Sequence, residues 1–530
     1  MALPQKTVFS LSTHDRYNAA VYFIDRNLEL GLADKVAIRS DDGDVTYGDL
    51  YQLMNRVGNG LKALQVYMEN RVALLLHDSV EFIASFFGTV KIGGIPIPVN
   101  TLLSPQDHVY ILNDSRAKVA IIEAGLWQRL RDMGAALPFL KHVVVVCRTG
   151  ETAPPESLDF SAWAAEQPPE LAPADTVYDD AAFWLYTSGS TGKPKGVIHL
   201  QHDMEVALHN YAENILRMGA DDVTFSASKL FFAYGMGNGM YFPLGVGGTT
   251  VLLRQPPTPQ AVMETVQKYR PTLFFGVPTL YAAMLDYVEK TKRSFDFSSV
   301  RQGVSAGEPL PPAIFHRFRE VFGVEILDGI GSTEALHIYI SNRAGEVQPG
   351  STGQLVPGYE ARIVDEEGRP VPPGELGELM LSGDSLAAGY WNLHVQTCTK
   401  FHGAWLRTGD SYYRDENDFF WYCGRVDDML KSGGIWVSPI EIENTLMEHE
   451  AVLEVAVIGV KDRNGLEKPW AFVVPKEQAD AAELEAVLVR FVRERLAHYK
   501  CPKRFVFVED LPKTATGKIQ RYKLREGVHA

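Results

Sequence analysis

The chain has 530 residues, and 46% hydrophobic with 22% charged residues fits a globular protein too long for one ordinary core. Its 51 Lys and Arg against 66 Asp and Glu leave a net charge of -15, which argues against nucleic-acid or anionic-membrane partners and requires any polyanion site to be built locally. The N-terminus lacks a basic segment followed by an apolar core, no apolar run approaches the ~20 residues of a membrane span, and Cys147, Cys398, Cys423 and Cys501 stand far apart. Buried free thiols in a cytoplasmic protein are therefore expected.

From about residue 30 to 150, short β-rich runs alternate with helix-like stretches. Residues 72–76 read as a buried strand, 79–92 as a helix with Ser79 at its N-cap, and 94–99 as extended chain. Residues 119–122 and 142–146 are further apolar strands. Continuous apolar strands separated by helices predict a parallel sheet covered on both faces. Residues 151–175, rich in proline, alanine and acidic side chains, read as a surface connection.

Two apolar runs, 181–185 and 197–200, then bracket the stretch YTSGSTGKPKG at 186–196, a strand–loop–strand or strand–loop–helix pattern. Glycines let backbone N–H groups come close, hydroxyls donate hydrogen bonds and lysines add positive charge, which suits phosphate oxygens. It is not a Walker loop, because Pro194 follows Lys193 where that motif needs a hydroxyl residue.

Residues 203–218 read as a helix. The segment 231–239 sets aromatic residues beside closely spaced glycines; it either lines a flat apolar pocket or packs as ordinary core. Residues 272–278, 301–310 and 324–334 each read as a strand with a turn or glycine-rich exit, and such exits gather at the carboxyl edge of an open α/β sheet, where ligands bind. From about 350 the pattern turns to short strands, as at 378–381 and 405–407, which suggests a β-rich subdomain. Beyond Asp427, strands at 454–460, 470–474 and 504–508 with a helix at 482–496 predict a compact α+β domain.

The stretch TSGSTGKPKG resembles the nucleotide-phosphate loop of the acyl-adenylate-forming superfamily, and five further motifs follow in that family's order: SAGEP at 305–309, GSTE at 331–334, RTGD at 407–410, GRVDD at 424–428 and PKTATGK at 512–518. The resemblance implies an α/β fold. Residues 1–426 would form a large N-terminal adenylation domain of stacked α/β subdomains plus a β-rich subdomain, and 427–530 a small mobile α+β domain hinged at Asp427. It implies ATP, Mg2+ and coenzyme A as cofactors. Thr187, Ser188, Gly189, Ser190, Thr191 and Lys195 would hold the phosphates; Gly307, Glu308, Pro309, Asp328, Gly329 and Ile330 would lie along the nucleotide. Many members stack an aromatic side chain on adenine where this chain has Ile330. Thr333 would bond the α-phosphate, Glu334 with Thr187 would hold Mg2+, Asp410 would accept ribose hydroxyls, and Arg425 would lie near ribose and phosphate. Lys518 would be the mobile catalytic lysine, and Lys431, Gly433, Gly434 and Trp436 would line a pantetheine passage.

Amino-acid-activating relatives place an aspartate where this chain has Ala233, which cannot pair with an ammonium group. Phe232, Ala233, Tyr234, Gly235, Gly331 and His337, with Gly307, Gly329 and Ile330, suggest a short, flat, apolar pocket that an aromatic carboxylate fits. GIGSTE and GGIWVSP look especially like benzoate–CoA ligases, within the aryl-CoA ligase branch of aromatic compound degradation. For Tyr234 and His337 two roles stand side by side, bonding a ring substituent or forming a satisfied wall. The competing functions are a medium-chain fatty acyl-CoA ligase and, in another class, a catalytically silent nucleotide-binding regulator. The presence of Glu334, Asp410 and Lys518 together argues against the regulator, and a homodimer is left open.

Overall fold

The computed structural model describes residues 16–187, 193–432, 435–461, 467–476, 481–513 and 519–529. The apolar runs of the first 160 residues form a five-stranded parallel sheet, ordered Ile95–Pro98, Arg71–Leu75, Val119–Glu123, His142–Val146, Leu158–Asp159. Successive side chains in a strand point to opposite faces. Accordingly Val72, Leu74, Val119, Ile121 and Val144 enter one core, while Ala73, Leu75, Ala120, Ile122 and Val145 enter another. Both faces are covered, as the unbroken apolar runs require. The helix predicted over 79–92 is Val80–Lys91, and the Ser79 hydroxyl caps it by accepting the Phe82 N–H at 3.3 Å. It crosses the helix Tyr47–Ala63 where glycines meet: a side chain at Gly88 would come within 2.7 Å of the Met54 carbonyl. Phe82, Phe86 and Phe87 are fully buried there, and burying a side chain of this size stabilises by about 1.5–3 kcal/mol.

The second sheet has nine strands, with Ile326–Gly331, Gln302–Ser305, Leu273–Gly276, Val223–Ser226 and Thr249–Val251 as its central run. That run is parallel, whereas strands at both edges, including Ile338–Ser341, pair antiparallel. Leu273, Phe275 and Leu327 share a core with the Phe82–Phe87 helix face, and Phe225, Phe274 and Ile326 face a separate core on the far side. The helices Tyr47–Ala63 and Val80–Lys91 thus pack into the core shared by both sheets.

The strands Ala181–Thr187 and Lys195–Leu200 form an antiparallel hairpin joined by Gly389–Tyr390, so strand–loop–strand is the realised alternative around 186–196. The β-rich region is an antiparallel sheet built on Tyr359–Val364, Gly377–Gly383, Trp405–Arg414 and Phe420–Arg425. Towards the C-terminus, Val452–Lys461 and Glu467–Pro475 pair antiparallel and Arg504–Phe507 adds in parallel. Alternate residues again feed two cores, Val455, Val457 and Val473 on one face, Ala456, Ile458 and Val474 on the other.

Three expectations change. Residues 151–175, expected as a surface connection, instead supply the edge strand Leu158–Asp159 and the helix Phe160–Ala165, because Phe160, Trp163 and Leu171 have apolar side chains large enough to join the main core. The helix expected over 203–218 is an α-helix only over Asp203–Ala207 and continues as a π-helix over Leu208–Glu213. The His209 ring there pairs with Glu205 and Glu213, one turn to either side, and the chain leaves through Arg217 in the left-handed region (φ 53°). Of the four free cysteines, Cys423 and Cys501 are buried and Cys147 is partly so, but Cys398 is exposed, because the short helix His394–Lys400 that carries it lies on the surface with no buried residue.

Candidate active site

The hairpin presents the loop that sequence reasoning singled out. Ser188, Gly189, Ser190 and Thr191 lie outside the described residues, but the strands entering and leaving the loop are in register, with Thr187 opposite Lys195. The Lys195 ammonium stands 4.5 Å from the centre of the Tyr390 ring. The Tyr390 hydroxyl in turn donates to Glu334 Oε1 at 2.6 Å. Tyr390 lies on the third strand of the hairpin sheet, so one short chain of contacts links Lys195 to Glu334.

Glu334 sits in a turn that the sequence builds locally. The strand Ile326–Gly331 runs beside Ile338–Ser341 so closely that a side chain at Gly331 would meet the His337 carbonyl at 2.6 Å. The Ser332 hydroxyl then caps a single 3-10 turn, Thr333–Ala335, by accepting the Ala335 N–H at 3.2 Å. The Thr333 carbonyl accepts from His199 Nε2 at 2.8 Å. His199 is itself buried, with Nδ1 2.7 Å from the buried Asp203 carboxylate and its ring stacked on Phe183. Thus the strand after the glycine- and hydroxyl-rich loop holds the Thr333–Glu334 turn through His199.

Asp410 and Arg425 face each other across paired strands, with Nη1 2.8 Å from Oδ1. The Lys400 ammonium donates to the Thr408 carbonyl at 2.8 Å; burial pushes its pKa down, while Glu334, Asp410 and Glu378 act to raise it. Gly409 has φ 77°, and a side chain there would stand 3.0 Å from Arg425 Nη2 and 3.2 Å from Lys400 Nζ. Lys195, Lys400 and Arg425 are therefore gathered with Glu334 and Asp410 around one region: cations suited to phosphate beside carboxylates suited to a metal ion or to sugar hydroxyls.

The exits of the parallel strands meet next to it. Gly307 adopts φ 97°, and the Leu310 N–H donates to Asp328 Oδ2 at 3.2 Å, which ties the 305–310 exit, with Glu308 and Pro309, to the strand carrying Asp328, Gly329 and Ile330. Asp328 is buried, and burial pushes its carboxyl up to about 7. The Tyr234 hydroxyl donates to the Gly276 and Val304 carbonyls, at 3.2 and 3.1 Å, so it is committed to the ends of two strands. His337 is buried against Phe242, Tyr211 and Tyr234, with Nε2 3.1 Å from Asn238 Oδ1. Burial drives its pKa down to about 3, so the ring is neutral. The aromatic–glycine segment divides: Phe231 joins the core, while Phe232, Ala233 and Tyr234 keep part of their surface exposed. Gly235 is needed where it stands, since a side chain would meet the Lys229 carbonyl at 2.1 Å.

Lys431 and Trp436 are paired on two short antiparallel strands, and Asp427 lies in the 3-10 turn Val426–Asp428. The side chains of these three residues, together with Gly433, Gly434 and Lys518, lie outside the described residues. Sequence reasoning missed Tyr390, Lys400, His199 and Asp203. The first two carry no local signal, standing 56 and 66 positions from Glu334 by their numbers. A histidine four residues before an aspartate just after the loop is a spacing that could have been noticed.

The AMP-binding enzyme family model matches residues 28–391, and the AMP-binding enzyme C-terminal domain model matches 441–518. The chain is 46% identical to a benzoate–CoA ligase of Thauera aromatica, over 96% of each chain. It is 43% identical to a 4-hydroxybenzoate–CoA/benzoate–CoA ligase of Rhodopseudomonas palustris, over 96% of this chain and 94% of that one. Among solved structures it is similar to an anthranilate CoA ligase in complex with anthranoyl-AMP, with TM-score 0.93 and 42% identity over 97% of this chain and 98% of the other. A benzoate CoA ligase from Burkholderia xenovorans LB400 aligns with TM-score 0.87 and 44% identity, over 96% of this chain and 100% of that one.

Proposed function

Because this chain belongs to the AMP-binding enzyme family, we propose that it joins an aromatic carboxylate, benzoate or a hydroxy- or aminobenzoate, to coenzyme A at the expense of ATP. The acid's carboxylate attacks the α-phosphorus, pyrophosphate leaves, and the thiol of coenzyme A then displaces AMP from the acyl-adenylate. The observation that carries the reading is the convergence of Lys195, Glu334, Asp410 and Arg425 around one region beside the phosphate-loop hairpin, in a chain similar throughout to aryl-CoA ligases.

Two anions must be brought together in the first step, so the residues act mainly by offsetting charge. In this reading the phosphate-loop hydroxyls, with Lys195, hold the phosphates, Thr333 bonds the α-phosphate, and Asp410, oriented by Arg425, takes the ribose hydroxyls. Carboxylate and hydroxyl oxygens are the donors that Mg2+ prefers, and Glu334 with Thr187 supplies both kinds. When bound there, Mg2+ would neutralise phosphate charge. Lys518 completes the charge balance in the first step. Residues 427–530 then reorient about Asp427 and bring Lys431, Gly433, Gly434 and Trp436 to the adenylate for attack by sulfur. Phe232, Ala233, Tyr234, Gly331 and His337 bound the ring, with the neutral His337 and the committed Tyr234 hydroxyl as walls. The reading extends to a cytoplasmic homodimer, which light scattering of the purified protein tests.

The deciding assay screens benzoate, hydroxy- and aminobenzoates and hexanoate for AMP release with and without coenzyme A. Aromatic acids should give coenzyme A-dependent turnover. Preference for hexanoate would move the enzyme to the medium-chain ligases, and no turnover with any acid would leave a nucleotide-binding regulator.

A further inference from the structure

Three adjacent parallel strands begin with a cation. Arg71 opens the first, Lys118 immediately precedes the second and Lys141 the third, and the backbone N–H of each later residue bonds the carbonyl of the one before, Lys118 to Arg71 at 2.9 Å and Lys141 to Lys118 at 2.8 Å. Like charges on neighbouring strands repel, so this row lowers stability unless something answers it. Arg116 adds a fourth charge from a left-handed position (φ 52°), just after the helix Pro105–Asp114, where glycine would be the unstrained choice. The four cations, with Asn70, Pro138 and Phe139, line a cavity of about 280 Å3 that has no carboxylate in its wall among the described residues.

Their partners are neutral. Arg71 donates to the Ser115 and Glu69 carbonyls at 2.8 Å, Lys118 to the Gln65 carbonyl, and Lys141 to the Pro138 carbonyl at 2.9 Å, while Arg116 lies over the Trp391 ring. These contacts fix the cations without cancelling their charge, and each lysine retains ammonium hydrogens. Burial and then Arg116 push the Arg71 guanidinium pKa down, with Glu69 the carboxylate that acts to raise it. In a chain of net charge -15 such a pre-arranged, unanswered set is a local exception.

We propose that this cavity is a second anion site, separate from the adenylation centre, that takes a small phosphate-bearing molecule with two or more negative charges. Guanidinium forks and fixed ammonium groups match phosphate oxygens, and the exposed Phe139 ring offers a flat face to a base, should one be attached. The site backs onto the phosphate-loop hairpin. Arg71 lies over both Trp184 and Trp391, those rings are 4.5 Å apart, and the Trp391 backbone N–H donates to the Gly196 carbonyl at 2.8 Å.

The test is calorimetric titration of the full-length protein with its adenylation centre filled by a non-hydrolysable acyl-adenylate analogue. Pyrophosphate, inorganic phosphate and adenosine 3′,5′-bisphosphate are titrated separately, and their ranking tells product, free phosphate and nucleotide sources apart. At least one should bind at a single site and weaken as salt is raised. Lys118→Ala and, independently, the surface change Lys141→Glu should each weaken it about tenfold. Absence of saturable binding by all three, or equal affinity in wild type and both variants, overturns the assignment.

Discussion

Tyr390→Phe removes one hydroxyl and little else. The ring that carries the Lys195 ammonium at 4.5 Å stays, as does the backbone N–H that donates to Thr397 at 3.0 Å. What goes is the 2.6 Å bond to Glu334, in a part-buried setting. Hydrogen bonds of this length to a carboxylate are roughly twice as strong as neutral ones, and a net loss of about 1.5–3 kcal/mol is typical for a charged partner. If that energy serves to aim Glu334, the rate of adenylate formation falls by about 10- to 150-fold. The assay is pyrophosphate exchange at saturating aromatic acid across a Mg·ATP series, beside thiolysis of supplied acyl-adenylate. We expect kcat/KM for Mg·ATP to fall by that factor while thiolysis stays within about twofold of wild type. Combining Tyr390→Phe with Glu334→Gln should cost little more than Glu334→Gln alone, since the two share one interaction. Unchanged exchange, or equal loss in both half-reactions, refutes the positioning role.

Other substitutions probe the rest of the arrangement. His199→Gln strips a buried partner from Asp203 and loosens the Thr333 carbonyl; we expect about 3 kcal/mol lower stability by denaturant unfolding and slower pyrophosphate exchange. Because burial raises the folded-state pKa of Asp328 from 3.8 to about 7, its neutral form stabilises the fold at low pH, and that contribution is lost as pH rises through about 4 to 7. Relative to Asp328→Asn, the wild type should therefore lose about 2.6 kcal/mol of stability between pH 5 and 8; parallel pH profiles would contradict this. Lys518→Ala should cripple adenylate formation and spare thiolysis, whereas Asp427→Pro, which restricts φ at the proposed hinge, should impair thioester formation more than adenylation. The two half-reactions, measured separately, check both.

Local chemistry made much of this readable in advance. The Ser79 cap, the both-faced apolar strands around Ala73 and Ile121, and the Thr333 turn after a glycine-rich strand each depend on neighbouring residues, and each appears where expected. The Lys195–Tyr390–Glu334 chain and the His199 bond to Thr333 depend instead on strands brought together from distant positions, which periodicity does not report. The π-helical turn at Leu208–Glu213 was hidden for a different reason, since its apolar spacing still fits an α-helix. For Tyr234 the sequence leaves two roles open, bonding a ring substituent or forming a satisfied wall; its hydroxyl meets two strand carbonyls, a contact set by how Gly276 and Val304 align and invisible to local pattern.

Isotope tracing addresses the central claim most directly. Benzoate carrying 18O in both carboxylate oxygens is incubated with the protein, ATP, Mg2+ and coenzyme A, and the products are read by mass spectrometry. Attack on the α-phosphorus predicts one labelled oxygen in AMP, none in pyrophosphate, and the second label retained in the thioester. Label in inorganic phosphate or pyrophosphate, or unlabelled AMP alongside thioester, would contradict an acyl-adenylate and the assignment built on it.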